Sequence, residues 1–434
     1  MGMFHVKQLC GTVPRRFTWN VPRAESDRTC GRFRTTGYIV QAVNLDAQLR
    51  TELEQLRGQD RLRDTRPLAG PGRVHTTTPE GGALLSFCTN DYLGLAGHPA
   101  LARAAAQATD TFGFGAGASR LVSGETPPHV ALEAALAGLL SRPAALVFPT
   151  GYQTNLGVLT ALAGPTDLVV SDIANHASIV DGCRLSRARI VIYPHCDATE
   201  ARAALATPGP FRRRLLVSES IFSMDGDRAP LPALAAAAAS HDAVFILDEA
   251  HALGVVGQRG CGLAAELGVF PDITIGTLGK AFGGFGGFVA GTSSLRALLI
   301  NRARQFIFTT AAPPALAAAA STALELAASP FGTHLRERAR ELATHLRHGL
   351  ARLGIQAPGQ DLIIPLILGS EARALAAARA LLDQGILVPA IRPPTVAPGA
   401  SRLRVTISAS HTLADVDRLI DAVAGIPSLM RATP

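Results

Sequence analysis

Three stretches of this chain are apolar without alternation and then end in polar residues. They are Leu168-Val169-Val170-Ser171-Asp172, Leu215-Leu216-Val217-Ser218-Glu219 and Ala243-Val244-Phe245-Ile246-Leu247-Asp248. A strand that is apolar at every position is buried on both faces, and burial of that kind belongs to parallel sheets covered by helices. Ala-rich stretches such as Leu101 to Thr111 and Ala235 to Ala239 read as helix, since Ala has the best helix propensity. The strand–helix alternation continues to about residue 290. It predicts an α/β fold with a mostly parallel central sheet. In open sheets of this type the working side chains collect beyond the carboxyl ends of the strands. The residues to watch are therefore those after Asp172, Ser218 and Asp248.

A second feature is a single lysine. The chain holds 41 lysines and arginines, but only Lys7 and Lys280 are lysines. Arginine cannot be deprotonated at working pH and cannot serve as an amine nucleophile. Lys280 stands in the apolar, glycine-rich run Ile273-Thr274-Ile275-Gly276-Thr277-Leu278-Gly279-Lys280-Ala281-Phe282. A lysine kept in such a setting suggests that an amine is required, and a desolvated amine is suited to forming a Schiff base with a carbonyl. The alternative, a surface lysine left by chance, fits poorly with these apolar flanks.

Composition bounds the rest. The length of 434 residues allows two or three structural units, and a hydrophobic content of 47% against 17% charge supplies a sizeable core. No uninterrupted apolar run is long enough to span a bilayer, so no membrane association is expected. Of the net charge of +7, +5 falls in residues 1–40. The main body is thus nearly neutral, and no nucleic-acid partner is expected. Residues 1–40 are Arg-rich, lack apolar periodicity, and read as a disordered N-terminal extension; a transit peptide has the same composition. Six cysteines show no paired spacing, which makes a reducing, cytoplasmic setting the default.

The organisation that follows is an N-terminal segment over 41–92, a large domain over 93–325 and a smaller α+β domain over 326–434. Leu45, Leu49, Leu53 and Leu56 form a helical stripe at the start of the N-terminal segment. Arg57, Arg61, Arg63 and Arg66 follow, either as a solvated basic face or as a reach towards an anionic substrate. The C-terminal section reads as helices over 335–353 and 372–384 with strands over 363–368 and 403–407. Its loop Ile391-Arg392-Pro393-Pro394-Thr395-Val396 has paired prolines that could hold Arg392 in place.

Two tempting motifs fail. Gly113-Phe114-Gly115-Ala116-Gly117-Ala118 imitates a dinucleotide fingerprint, but it follows a helix where a strand is required. The run ending Asp248-Glu249-Ala250-His251 imitates the magnesium strand of an NTPase. Its phosphate loop would have to come earlier, and the one Gly-Lys pair, Gly279-Lys280, comes later and is followed by Ala281. What remains is an ordered set: a strand–turn–helix with Gly151-Tyr152, His176 after a strand, Ser223 after a strand, Asp248 with His251, then Thr277 with Lys280. The turn at Gly151 opens a helix whose free N–H groups suit a phosphate. A pyridine aldehyde cofactor needs such parts: an amine, a carboxylate for the ring nitrogen, donors for the ring hydroxyl, a ring to cover its face and a phosphate cradle.

From Asn90 to His411 the chain resembles the α-oxoamine synthases, which are fold-type-I pyridoxal-phosphate enzymes. The resemblance rests on Asn90-Asp91-Tyr92-Leu93-Gly94-Leu95, Ser119-Arg120-Leu121-Val122-Ser123-Gly124, Ser220-Ile221-Phe222-Ser223-Met224-Asp225-Gly226-Asp227, Asp248-Glu249-Ala250-His251 and Thr277-Leu278-Gly279-Lys280. Within the family, Ala390-Ile391-Arg392-Pro393-Pro394-Thr395-Val396-Ala397-Pro398-Gly399 points to the branch that serves biotin synthesis. The resemblance implies an aminotransferase-like fold and pyridoxal 5'-phosphate as cofactor, bound in the large domain. It implies that Lys280 holds the cofactor and moves the substrate α-proton, that Asp248 faces the pyridine nitrogen, and that His176 stacks on the ring. His251 and Ser223 would contact the ring-hydroxyl side. Gly151, Tyr152 and Thr277 would bind the phosphate, with Thr309 or Thr310 completing that site in the neighbouring subunit of a homodimer with shared active sites. Arg392 would bind the amino-acid carboxylate, and Arg63 and Thr395 would contact substrate.

The reaction so implied condenses L-alanine with a pimeloyl thioester, carried on coenzyme A or on a carrier protein, with loss of carbon dioxide and release of the thiol. Three alternatives stay open at this point. A sister enzyme would use glycine with acetyl-CoA or another amino acid with a long acyl chain. An aminotransferase would need a second cationic site for a dicarboxylate. A non-catalytic phosphate- or nucleic-acid-binding protein would work through the basic N-terminus.

Overall fold

The first described helix already shows the limit of pattern reading. The computed structural model describes residues 44–70 and 73–430; the extension expected over 1–40 lies outside the described residues. Helix α1 (Leu45–Gly58) forms where the leucine stripe predicts it, with the Asn44 side chain accepting the Ala47 N–H at 3.1 Å as a cap. None of its side chains is buried.

Strands β1 (His75–Thr77) and β2 (Ala83–Ser86) form an antiparallel hairpin. Helices α2 (Pro99–Phe112) and α3 (Pro127–Leu139) follow. Each starts on proline, whose missing N–H costs nothing in the first turn, so α3 begins three residues before the apolar pattern does. Gly113 ends α2 at φ +82°, so the glycine loop does follow a helix.

The central sheet is then laid down in order: β3 (Ala144–Phe148), helix α4 (Gly151–Leu162), β4 (Leu168–Asp172), helix α5 (Ala177–Ser186), β5 (Arg189–Tyr193), β6 (Arg214–Glu219), β7 (Ala243–Asp248), β8 (Ile273–Thr277) and β9 (Gly287–Gly291). The spatial order is β3-β9-β8-β7-β6-β4-β5, and β9 alone runs antiparallel to its neighbours. Successive side chains of a strand point to opposite faces. Accordingly Phe245 and Leu247 of β7 enter one hydrophobic cluster and Ile246 the other; Leu216 of β6 is divided in the same way from Leu215 and Val217. Both faces being covered is why these strands are apolar throughout. Each large side chain so buried stabilises the fold by about 1.5–3 kcal/mol relative to exposure.

The C-terminal section forms β10 (Ile363–Gly369), β11 (Ile386–Leu387), β12 (Ala390–Ile391) and β13 (Ser401–Thr406). Strands β10, β13 and β12 make an antiparallel sheet, backed by helices that include Pro330–Arg352, Glu371–Leu382 and Leu413–Ala424. Strand β11 instead joins β2, so the early hairpin and the C-terminal section share a three-stranded sheet. Asn90 and Tyr92 follow β2, and Tyr92 Oη reaches the His251 ring after β7 at 2.7 Å. Among the described residues no helix is long and apolar enough to cross a membrane.

Candidate active site

Asp172, Glu219, Asp248 and Thr277 are the last residues of β4, β6, β7 and β8. The parallel register sets Glu219 directly beside Asp248. Lys280 follows β8 after a tight turn, and its Nζ lies 2.8 Å from His251 Nε2. Burial pushes the Lys280 amine down to about 8, against the pull of Asp248 and Glu219. Burial, with the nearby Lys280 and Arg404 charges, holds His251 well below its ordinary value, so its imidazole is neutral.

That neutrality fixes the hydrogen-bond direction. Lys280 Nζ donates to His251 Nε2, which leaves the proton on Nδ1. His251 Nδ1 then donates to Tyr92 Oη at 2.7 Å, and Tyr92 Oη donates to Asn90 Oδ1 at 3.2 Å. Asn90 Oδ1 also accepts from Arg404 Nη1 at 3.1 Å, while Arg404 Nε donates to the Ser223 carbonyl at 2.6 Å. Lys280, His251 and Ser223, far apart in sequence, are thereby tied into one buried network.

A second network starts at Asp248. Its Oδ2 accepts from Asn155 Nδ2 at 2.7 Å and its Oδ1 from the Ala250 N–H at 2.9 Å. Asn155 Nδ2 also donates to Ser178 Oγ at 3.0 Å, and Ser178 Oγ lies 2.8 Å from His176 Nδ1. His176 Nδ1 accepts from the Ser178 N–H at 3.2 Å, so the ring proton sits on Nε2. Glu219 Oε1 accepts the His176 N–H at 2.6 Å. Burial, reinforced by Asp248, raises Glu219 to about 8. Lys280 opposes that rise, so the three groups Asp248, Glu219 and Lys280 are electrostatically tied together.

Helix α4 points its first turn at this group. Thr150 Oγ1 accepts the Gln153 N–H at 3.1 Å, whereas the Gly151 and Tyr152 N–H groups are spent on neither the helix nor its cap. A Cβ placed on Gly151 would lie 3.5 Å from Thr277 Cβ, so Thr277 flanks the turn. Thr277 Oγ1 donates to the Gly286 carbonyl at 2.9 Å and accepts the Gly279 N–H at 3.2 Å. Tyr152 also hydrogen-bonds Asp181 and meets the His176 ring edge-on at 6.5 Å. Free N–H groups at a helix N-terminus, a half-buried amine of lowered pKa and a buried carboxylate braced on both oxygens form a donor set that fits pyridoxal phosphate.

The remaining expected residues lie in two other places. Arg392 is buried; its Nη1 donates to the Asp60 carbonyl and its Nη2 to the Leu62 carbonyl at 3.4 Å, while its Nε is buried with no partner among the described residues. Arg63 Nη2 donates to the Pro393 carbonyl at 3.0 Å, which sets Arg63 beside Arg392. Thr395 caps the same loop through its N–H to the Arg392 carbonyl at 3.1 Å, with an exposed side chain. Thr309 and Thr310 line a small cavity with Arg120, His129, Phe306 and the β3 end Phe148-Pro149. Sequence reading did not single out Asn155, Ser178 or Arg404, and it placed Glu219 at the end of its strand without giving it a role. Asn155 had a usable signal, being a polar residue one helical turn after Gly151, on the buried side of the helix.

Comparison with known proteins agrees with this geometry. Residues 83–423 match the family described as aminotransferase class I and II. An 8-amino-7-oxononanoate synthase of Anaeromyxobacter dehalogenans (strain 2CP-1 / ATCC BAA-258) is 51% identical over 88% of this chain and 96% of its own. One from Geobacter sulfurreducens is 47% identical over 86% and 96%. Among solved structures, a serine palmitoyltransferase from S. paucimobilis with a bound pyridoxal-phosphate–myriocin adduct superposes with a TM-score of 0.82 at 29% identity, covering 88% of this chain and 98% of that one. An 8-amino-7-oxononanoate synthase from Francisella tularensis gives a TM-score of 0.69 at 26% identity over 79% and 97%.

Proposed function

Since the chain belongs to the class I and II aminotransferase family, and within it to the 8-amino-7-oxononanoate synthases, we propose that it condenses L-alanine with a pimeloyl thioester to 8-amino-7-oxononanoate, carbon dioxide and free thiol. It is a pyridoxal-phosphate-dependent acyltransferase of fold type I, of the biotin pathway. The observation that carries the reading is the Lys280 amine, lowered to about 8 and hydrogen-bonded to a neutral His251 beside the braced Asp248.

Bound pyridoxal phosphate supplies an aldehyde that joins an amine and a protonated ring that draws electrons from the adjacent carbon. The protein's part is positional and protonic. Asp248 would hold the ring nitrogen protonated, and the Asn155 and Ala250 donors keep that carboxylate from turning. His176, pinned by Glu219 and Ser178, would cover the ring. Ser223 and His251 would meet its hydroxyl side. The Gly151 and Tyr152 N–H groups with Thr277 would hold the phosphate. Lys280 Nζ would take the α-proton of alanine and later return one. A pKa near working pH is what a group with both duties needs, and the His251–Tyr92–Asn90 chain fixes where Nζ rests.

Arg392 would bind the alanine carboxylate. Its present partners, the Asp60 and Leu62 carbonyls, are neutral, whereas a carboxylate matches the guanidinium fork in charge and can take it bidentately. Arg63 and Thr395, on the same loop contact, would meet the acyl substrate. Two copies would assemble as a homodimer, each lending Thr309 or Thr310 to its neighbour's phosphate site. The four described cysteines are all unpaired, as in a cytoplasmic protein.

The serine palmitoyltransferase likeness supports the fold and cofactor but keeps a sister substrate pair in view. The test is thiol release by the cofactor-loaded protein from pimeloyl-, acetyl- and palmitoyl-CoA, each with L-alanine, glycine and L-serine. Release confined to L-alanine with pimeloyl-CoA is the expected result. Release with L-serine and palmitoyl-CoA, or with glycine and acetyl-CoA, would overturn the substrate assignment and leave the family intact.

A further inference from the structure

Outside the catalytic group, Asp172 at the end of β4, His195 and Cys196 in the loop after β5, and Asp227 in the loop after β6 converge. His195 Nε2 lies 2.7 Å from Asp227 Oδ2, and Cys196 Sγ lies 3.7 Å from each of those two atoms. On the other side of the ring, His195 Nδ1 lies 3.0 Å from Asp172 Oδ1. Asp172 is itself anchored: its side chain is 1% exposed, and it accepts from the Ala174 N–H at 2.8 Å and the Cys196 N–H at 2.9 Å. The pyridoxal-phosphate chemistry uses none of these side chains.

Simple ion pairing accounts for part of the cluster, since a protonated His195 between two carboxylates is a sound buried bridge. It leaves three features unexplained. Cys196 sits at φ +57°, a left-handed conformation costly for a residue that lacks the local hydrogen bonds of Asn or Asp. Its thiol is aimed at His195 Nε2 and Asp227 Oδ2, where a weak S–H donor gains little. Asp227 Oδ1 is buried with no partner among the described residues.

We propose that His195 Nε2, Cys196 Sγ and Asp227 Oδ2 form a binding site for a zinc-like divalent cation, with Asp172 as the outer carboxylate that orients the histidine. Zinc takes sulfur, nitrogen and oxygen at about 2.3, 2.0–2.1 and 2.0–2.2 Å with tetrahedral geometry, which requires S–N and S–O separations of about 3.6 Å and an N–O separation of about 3.4 Å. Both sulfur edges of the triangle already meet that requirement. Only the third must open, by roughly 0.7 Å on the same geometry, as the cation replaces the proton between nitrogen and oxygen. Binding releases one proton from His195 Nε2 and one from Cys196 Sγ. The ligand set then carries two negative charges against two positive ones, with Asp172 outside it. A carboxylate on the far nitrogen of a ligating histidine is the usual supporting arrangement. His195 and Asp227 are 32% and 34% exposed, so a fourth position is open to water.

Asp227 lies four residues from Ser223 and the outer carboxylate Asp172 four residues from His176, and the Phe222 ring meets His195 edge-on at 4.3 Å. A bound cation would cross-link the loop after β5, which carries His195 and Cys196, to the loop after β6, which carries Ser223 and Asp227.

The test is equilibrium dialysis of the full-length, cofactor-loaded protein against Zn²⁺, with Co²⁺ as a visible reporter of four-coordinate thiolate ligation. One retained equivalent is expected, together with the intense visible bands of tetrahedral cobalt. Both should vanish in Cys196→Gly, whose glycine suits the left-handed backbone and removes any doubt about folding, and both should persist in Cys261→Ser. Asp172→Asn should weaken retention about ten- to hundred-fold. No retained equivalent in the parent protein, or equal retention in Cys196→Gly, would overturn the proposal.

Discussion

Lys280 was legible because lysine is rare here, and that rarity also makes it measurable. With Lys7 the only other lysine, an amine-directed acylating reagent has two side-chain targets. Acylation requires the neutral amine, so Lys280 in the cofactor-free protein should label with a midpoint near pH 8, where burial sets its pKa. An ordinary lysine titrates near 10.4. Peptide mapping of label against pH checks this, and a Lys280 midpoint above 10 would remove the basis for its acid–base role. The same depression is a cost to folding. The penalty for burying a charged amine is complete below pH 8 and is relieved as pH rises towards the unfolded value, because the unfolded chain then binds more protons. Lys280→Met should therefore stabilise the cofactor-free protein at pH 7, with the difference shrinking by pH 10 in denaturant titrations. Asn155 and Glu219 were not legible in this way. Each acquires its role from a neighbour across the sheet: Asn155 from Asp248, and Glu219 from its register beside Asp248. Asn155→Leu strips a donor from a buried carboxylate, a loss of about 1.5–3 kcal/mol. It should lower kcat/KM about ten- to hundred-fold while the protein still folds; an unchanged kcat/KM would deny Asn155 its bracing role.

Among the elements, the central strands β4, β6 and β7 announce themselves because each is an apolar run that ends in polar residues. Strand β5, Arg189-Ile190-Val191-Ile192-Tyr193, also holds a short apolar run but lies at the end of the sheet, where only Tyr193 is buried, and it was not singled out. The first turn of α4 depends on a contact that no pattern shows. A Cβ on Gly287 of β9 would come within 2.5 Å of Gly151 Cα, Gly151 N and Thr154 Oγ1. The glycine is what lets α4 approach the strand and bring the Gly151 and Tyr152 N–H groups beside Thr277. Gly287→Ala should push the helix start away. Overpacking of this kind costs about 1–3 kcal/mol, to be read from denaturant midpoints. The variant should also lose cofactor faster on dialysis than the parent. Lower stability with undiminished cofactor retention would dissociate this turn from phosphate binding.

For the whole molecule, the surface around the glycine loop is the part that a single chain leaves unexplained. Phe114, Val122 and Phe308 are 81%, 79% and 68% exposed. They belong to adjoining stretches, because Ser119 pairs with Thr310 and the Ala311 N–H reaches the Ala118 carbonyl at 2.9 Å. Exposed apolar groups gathered in this way mark an association surface. The same surface carries Thr309 and Thr310. In the homodimer proposed above, a second copy would cover the apolar patch and receive the threonines near its phosphate turn. A two-fold interface doubles any introduced charge, since the same residue appears on both sides. Val122→Glu and Phe308→Glu should therefore give monomers in light scattering at concentrations where the parent is dimeric, together with loss of thiol-releasing activity. A monomer that keeps full activity would show that the threonines serve no neighbouring site. A dimer that tolerates both charges would place the interface elsewhere on the molecule.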